Sequence, residues 1–372
     1  MKLLFYSPVK LRNGGGCERW HCDVTQSLAK EFKHRVTIVT SNLGDNKWSA
    51  EYLTSQLKDI PYVRLDDWTI LGVAVPKPTS IIRLYKMMAE ADVVHFIHGF
   101  AGQDLLVLGL KLLLKKRVVA GHHAPILHKI GFHNWYMSNI SRRLLNFFDG
   151  HMTLNLRDKQ FLENQWRIRG VKFIPSGIRL DKFLVIKRPR RHNLGFVTVG
   201  IYRLQKGLDL LMQAIEEFNR ILPNNKAIFR LVGGGELKDT VTTHVAKNHN
   251  IIDLGYLKYE EMPGVYQQSD VYLLPSREEP FGLVLIEAWA SGMPVLATKT
   301  EGPSDMLIEG KNGWFISEIN SLAICDALVK LYNKWMHTPK ERLFSEQLCR
   351  VTGSKFSIDT TAKRMNNELF LS

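Results

Sequence analysis

Cysteine is scarce. The 372 residues contain only Cys17, Cys22, Cys325 and Cys349. None stands at metal-ligand spacing, so neither a zinc module nor a disulfide framework is indicated, and a reducing compartment is expected. Also missing is an uninterrupted apolar run long enough to span a bilayer. At the N-terminus, Pro8, Lys10 and Arg12 interrupt the apolar residues too early for a secretory core. These absences lead us to expect a cytoplasmic protein that does not cross a membrane. Acidic residues are in short supply as well: 36 Asp and Glu against 50 Lys and Arg leave a formal net charge of +14. That excess favours anionic partners, whether nucleic acid, phosphorylated small molecules or acidic lipid, and charge alone does not choose among them. What remains is ordinary: 45% hydrophobic and 23% charged residues, as in a soluble globular protein, on a chain long enough for two domains.

Strand-like and helix-like segments alternate along the chain. In the first half "KLLFYSPV", "RVTIVTS", "DVVHFIH", "KRVVAGHH", "GHMTLN" and "VKFIPSG" read as strands, with helical patterns between them. Such alternation predicts parallel strands joined by right-handed helical crossovers. Residues 187–193, "KRPRRHN", read as a polar hinge, after which the alternation restarts with "LGFVTVG", a helix over 208–221, "AIFRLVGGG", "IIDLGY", "VYLLPS" and "PVLAT". The prediction is an α/β chain of two tandem doubly wound domains, residues 1–186 and 187–355, with a ligand at the carboxyl ends of both sheets, in a central cleft that the two domains face.

Four segments at predicted strand ends carry chemistry. "NGGGCER" follows the first strand and opens the first helix, so the glycines at 14–16 suit either an anion at a helix N-terminus or a plain tight turn. "GIYRLQKG" sets Arg203 and Lys206 ahead of a helix, where two cations and a helix N-terminus act on the same oxygens of a diphosphate. "LVGGGE" leaves space beside Gly234, and "LGYL" could lay the backbone of Tyr256 and Leu257 against a nucleobase edge. "EEPFGLVLIE" sets Glu279 in a loop before a helix and Glu287 within that helix, with seven residues between them. Taken singly, such carboxylates serve as helix caps about as often as they bind ligands.

In this order the segments resemble the nucleotide-sugar glycosyltransferases of the GT-B fold, most closely retaining family 4. The resemblance covers nearly the whole chain: Gly15-Gly16-Cys17-Glu18, the "DVVHFIH" strand, "IPSGI", Arg203 with Lys206, "GGGE", the Glu-x₇-Glu of "EPFGLVLIE", "NGWF" and the closing "FSIDTTAKRM". It implies two Rossmann-like domains, the first completed by the C-terminal helix at 356–372. In proteins this resembles, the first glutamate, here Glu279, lies against the donor sugar near its reacting face. The second, Glu287, binds the ribose. Backbone N–H groups of Phe281, Gly282 and Leu283 reach sugar hydroxyls and phosphate, and Arg203 and Lys206 carry the diphosphate and stabilise the leaving charge. His123 falls where relatives place a histidine that contacts the sugar, with His122 as its competitor, while His95 reads as a satisfied core residue. Pro175-Ser176-Gly177-Ile178-Arg179 departs from the Pro-Asn-Gly-x-Asp common among relatives, which puts those two contacts in doubt.

The activity so implied is retaining transfer of a sugar from a nucleoside diphosphate donor, UDP- or GDP-linked, to a hydroxyl of a lipid-linked or cell-surface glycan. No Asp-x-Asp occurs in the chain, so a metal-independent enzyme without a cofactor is expected. Residues 127–148 mix Lys129, Arg142 and Arg143 with aromatic residues such as Trp135, which suits the headgroup boundary of an anionic membrane at its inner face. Two other classes stand beside this reading: an anion- or nucleic-acid-binding protein on a degenerate transferase fold, and a sugar-nucleotide epimerase. Intact Glu279, Glu287, Arg203 and Lys206 weigh against degeneration, so no nucleic acid is expected as partner.

Overall fold

Short runs of β-branched and aromatic residues form parallel strands buried on both faces, and the helical spacings between them form the covering layers. The computed structural model describes residues 1–43, 46–70, 73–123, 132–185, 193–338 and 343–371. The chain divides into two compact units, Met1–Ile178 with Ile358–Ser372, and Arg179–Ser357. Most of the expected hinge, 187–192, lies outside the described residues.

Unit 1 is built on β1 (Lys2–Val9), β2 (Arg35–Leu43) and β3 (Tyr62–Arg64), a hairpin of β4 (Asp67–Ile70) with β5 (Val73–Pro76), then β6 (Val93–Ile97), β7 (Arg117–His122), β8 (Gly150–Thr153) and β9 (Val171–Phe173). Seven of these make one parallel sheet in the order β3-β2-β1-β6-β7-β8-β9, and among the described residues the hairpin pairs only with itself. On one face, helices Pro78–Glu90 and Ala101–Leu114 and the helical run from Phe132 to Phe147 share a core through Leu84, Met88, Val107, Leu110, Met137 and Leu145. The C-terminal helix Ile358–Met365 is tied into this unit. Ile358 N–H donates to the Ile178 carbonyl at 2.9 Å, and the Thr361 hydroxyl to that of Pro175 at 2.9 Å.

Unit 2 holds β10 (Leu194–Ile201), β11 (Ala227–Gly234), β12 (Ile251–Asp253), β13 (Val271–Leu274), β14 (Val295–Thr298) and β15 (Gly313–Ile316), parallel in the order β12-β11-β10-β13-β14-β15. Helix Leu208–Ile221 keeps the bounds its spacing predicts, because Gly207 at φ 67° provides the left-handed turn that starts it. In both units strand order runs outward from the first strand and then reverses past it, so each sheet has a switch point: β1 beside β6 in unit 1, and β10 beside β13 in unit 2.

Candidate functional site

A ligand crevice opens outside the carboxyl ends of a doubly wound sheet where strand order reverses. In unit 2 that point is bounded by the loop after β10, Tyr202 to Gly207, and the loop after β13, Pro275 to Gly282. Sixty-odd residues part them in sequence, yet hydrogen bonds join them. Arg277 and Glu278 donate backbone N–H groups to the Gln205 carbonyl at 2.8 and 3.3 Å. The Arg277 guanidinium reaches the Leu204 carbonyl at 2.5 Å and both Asp209 oxygens at 2.7 Å. Burial alone would raise the Asp209 carboxyl, but the guanidinium outweighs it and holds the group below its ordinary range. Gly207 makes the approach possible: a Cβ there would lie 1.9 Å from the Pro275 carbonyl oxygen. The Arg277–Asp209 clamp went unnoticed in the sequence, and its one local signal is a cation placed just after a buried strand.

The clamp brings the expected residues together. Lys206 donates to Glu279 Oε2 at 2.6 Å, the carboxylate nearly buried and the ammonium about one-third exposed. Arg203 begins the turn Leu204–Lys206 and is exposed. Gly282, at φ 90°, turns the chain into helix Leu283–Ala290, whose first N–H groups have no partner inside the helix. Phe281 buries its ring against Phe356, so only its backbone is on offer. Glu287 is buried within the helix and accepts from the Tyr266 hydroxyl at 2.7 Å; burial, then the Glu287 charge, pushes the Tyr266 phenol far up, so it stays a donor. Gly302 was also missed. Its N–H donates to the Glu279 carbonyl at 2.9 Å, and a Cβ at Gly302 would fall 2.1 Å from the Phe281 carbonyl oxygen.

Next along the sheet edge, β10 and β11 end in register, Gly200 opposite Gly233 and Ile201 opposite Gly234. A Cβ on Gly233 would sit 1.9 Å from the Gly200 carbonyl oxygen, whereas one on Gly234 would meet nothing within 4 Å, which leaves Gly234 open to a flat group. Asp253, at the end of β12, accepts from the Tyr202 hydroxyl at 3.0 Å, Gly255 N–H at 2.9 Å and Lys238 at 2.5 Å. Tyr256 and Leu257 follow this bracket, Tyr256 half-exposed.

In unit 1 the loop after β1 is a cap. Gly15 N–H donates to Glu18 Oε2 at 2.7 Å, so the glutamate of Gly15-Gly16-Cys17-Glu18 holds the start of helix Gly16–Phe32. At the ends of β6 and β7 the histidines separate into two groups. His122 is buried, its Nε2 3.3 Å from His151 Nδ1 and its ring 4.9 Å from that of His98. His98 Nε2 lies 2.7 Å from the Ser141 hydroxyl and 3.3 Å from Asp104, whose carboxyl burial pushes up to about 7 despite hydrogen bonds from Tyr136, Gly99 and Phe100. His123 is half-buried, its ring tilted against that of Trp20 at 4.4 Å between centroids, with Nε2 turned inward to the space over Gly121. Of the two competitors, His123 is therefore the one that reaches the surface.

His95 corrects an expectation. It is buried as predicted, but neither ring nitrogen has a hydrogen-bond partner among the described residues, because Phe5, Trp20 and His123 surround it. His21 donates Nδ1–H to the Cys17 carbonyl at 2.8 Å and leaves Nε2 without a partner in the same cage. Burial lowers His21 to about 4 and His95 to about 3, and takes His123 well below its ordinary value, so these rings are neutral at physiological pH. Trp135, Arg142 and Arg143 are exposed, and Lys129 lies outside the described residues. Among the described residues no cluster of His, Cys, Asp or Glu is arranged to hold a metal ion, and no helix is long and apolar enough to cross a membrane.

Two switch-point sheets, one bearing a cation-carboxylate pair beside a helix start, define a protein of two doubly wound units. Comparison with known proteins makes this specific. Residues 187–347 match the model for glycosyl transferases group 1, and residues 14–182 that for glycosyltransferase family 4, so the two matches together take in most of the chain. The chain is 25% identical over 280 residues, 68% of its length, to the GDP-mannose-dependent alpha-(1-6)-phosphatidylinositol monomannoside mannosyltransferase of Mycolicibacterium smegmatis, of which it covers 71%. To an uncharacterized glycosyltransferase of Methanocaldococcus jannaschii it is 32% identical over 146 residues, 38% of this chain and 39% of that one. Among solved structures, Anabaena HepE in complex with UDP and glucose superposes with a TM-score of 0.77 over 99% of both chains at 18% identity. The lipopolysaccharide outer core galactosyltransferase WaaB superposes with a TM-score of 0.72 over 100% of this chain and 99% of that one at 17% identity. The chain belongs to the GT-B glycosyltransferases.

Proposed function

We propose that the chain is a retaining, metal-independent enzyme that moves a hexose from a UDP- or GDP-linked donor to a hydroxyl of a lipid-linked or cell-surface glycan. The observation that carries this reading is the Lys206–Glu279 pair at the unit 2 switch point, braced from behind by Arg277 and Asp209. A carboxylate held 2.6 Å from an ammonium lets one small site take both a sugar hydroxyl and a phosphate oxygen. Arg203, Lys206 and the N-terminus of helix Leu283–Ala290 supply the positive charge that a diphosphate needs without a metal. Glu287, fixed by Tyr266, accepts from the ribose hydroxyls, and Gly234 with the Tyr256–Leu257 backbone borders the base.

The acceptor oxygen bonds to the anomeric carbon on the face from which the diphosphate departs. The breaking carbon–oxygen bond leaves its electron pair on the phosphate, and the acceptor proton passes to that phosphate oxygen. No protein base is consumed, and the site contributes preorganised charge. His123, neutral and at the surface of unit 1, serves as a hydrogen-bonding group for a sugar hydroxyl. The names of similar proteins support the donor class: HepE was crystallised with UDP and with UDP-glucose, and the mycobacterial relative is GDP-mannose-dependent.

The test is calorimetric titration with UDP and GDP, followed by reaction with UDP-glucose and GDP-mannose and proton NMR of the product's anomeric coupling. Binding of one nucleoside diphosphate and a product of the donor's own anomeric configuration are expected. An inverted anomer would remove the front-face mechanism, and failure of both nucleotides to bind would remove the donor assignment.

A further inference from the structure

Helices Pro78–Glu90 and Ala101–Leu114 and the helical run 132–147 all bury their inner sides in the same core of unit 1, so they form one layer with one outer face. A helix in such a layer ordinarily turns polar residues outward. Helix Ala101–Leu114 does not. Residues 102, 105, 109 and 112 are exposed along helix Ala101–Leu114 at 3-4-3 spacing, and they are Gly102, Leu105, Gly109 and Leu112. Leu105 and Leu112 are more than half exposed, and Leu113 at the end of the helix is 70% exposed. The adjoining segments add Ile82, Trp135 and Phe147, each also more than half exposed.

Charge on the same segments is almost all of one sign. Arg83, Lys86, Lys115, Arg142 and Arg143 are exposed and take part in no ion pair among the described residues. The acids of these segments are Glu90, the buried Asp104, and Asp149, which Lys111 neutralises at 3.1 Å. An apolar face bordered by unpaired cations has two obvious occupants, a second copy of the chain or an anionic surface. In a two-fold dimer the same patch meets itself, which would set those cations against one another. Lipid meets both requirements at once, because acyl chains take the leucines and rings while headgroups neutralise the cations.

We infer that the outer face of this helical layer docks unit 1 on an anionic membrane, with Leu112 and Leu113 as apolar anchors and Arg83, Lys86, Lys115, Arg142 and Arg143 as its charged border. The inference deepens the proposed function, and it rests on that reading for its purpose, since a docked transferase meets acceptors carried by lipid. The docking itself needs no nucleotide.

The test is co-sedimentation of the full chain with vesicles of phosphatidylcholine alone and with phosphatidylglycerol added at roughly one part in three, at low and high salt, beside nucleoside diphosphate titration of every variant. Binding should require phosphatidylglycerol and weaken as salt screens the surface. It should fall on the order of tenfold or more in Leu112→Ser/Leu113→Ser and in Arg142→Glu/Arg143→Glu, while both variants keep wild-type nucleotide affinity. Absence of sedimentation with phosphatidylglycerol vesicles overturns the inference, as does sedimentation that Leu112→Ser/Leu113→Ser leaves unchanged. So does a wild-type dimer that the leucine variant splits, since the face would then be a self-association surface. Nucleotide binding without vesicle binding sinks the docking alone; vesicle binding without nucleotide binding sinks the donor assignment alone.

Discussion

Mild acid should destabilise this protein more steeply than its surface charge alone would require, because several buried histidines of unit 1 are held neutral. His21 and His151 are lowered to about 4 and His95 to about 3, each chiefly by burial. In the unfolded chain they titrate near the ordinary 6.5. Between that value and their folded values the unfolded state binds protons that the folded state refuses, so their contribution is present above pH 6.5 and is lost as pH falls toward 4. Asp104 works the other way. Its carboxyl is raised to about 7 in the fold, so it is already protonated in the folded state across this window, and the stability it lends is present in acid and lost as pH rises through 7. Three histidines against one aspartate leave a net uptake of about two protons on unfolding, or about 2.7 kcal/mol lost per pH unit between pH 6 and 5. His122 and His123, also well below their ordinary values, steepen the slope further. Against a total stability of about 5–15 kcal/mol this is a large effect. Urea unfolding followed by tryptophan fluorescence at pH 7, 6 and 5 measures it. His151→Gln should flatten the slope, and Asp104→Asn should steepen it, each by about 1.4 kcal/mol per pH unit. A midpoint that stays constant from pH 7 to 5 would refute the assignment of neutral, desolvated rings.

Arg203→Ala should weaken nucleoside diphosphate binding by about 1.5–3 kcal/mol, the range for a charged hydrogen bond, and calorimetry giving equal affinities would take Arg203 out of the site. Glu279→Gln should lower turnover far more than nucleotide affinity, and Glu287→Gln the reverse, because one is assigned to the sugar and the other to the ribose; if both act on affinity alone, that division is wrong. Sugar transfer should survive EDTA, and activity lost to chelation and restored by magnesium or manganese counts against a diphosphate held by Arg203, Lys206 and a helix start.

The residue types of the site could be read in the sequence, and most of their partners could not. Arg203, Lys206, Glu279 and Glu287 announce themselves because each follows a strand-like run or a glycine that breaks one, and such positions fall at the ligand edge of a doubly wound sheet. The bonds that aim them cross the switch point. Arg277 and Asp209 are 68 residues apart, and the pair exists because β13 lies beside β10, a neighbour relation set by strand order and invisible to any local pattern. Tyr266 and Glu287 differ in the same way, and so do the unit 1 histidines: His21 comes from a helix, His95 from a strand and His123 from a loop. The β4–β5 hairpin escaped as well, since its two four-residue strands pair with each other and interrupt the βα alternation.

Helix Ala101–Leu114 shows a further limit. With Leu105, Leu106, Leu108, Leu110, Leu112, Leu113 and Leu114 it is apolar over most of its circumference, Gln103, Asp104 and Lys111 apart, and such a pattern does not show which side is buried. In the sequence, aromatic residues beside cations point instead to 127–148 as the membrane-facing segment. Once the layer is seen to bury Val107, Leu108 and Leu110 and to leave Leu105, Leu112 and Leu113 outside, the excess of leucine becomes a statement about what the helix meets. Solvent gives no reason to keep three exposed leucines on one helix beside Lys115 and Lys116, whereas a lipid boundary stabilises both kinds of side chain in the same place.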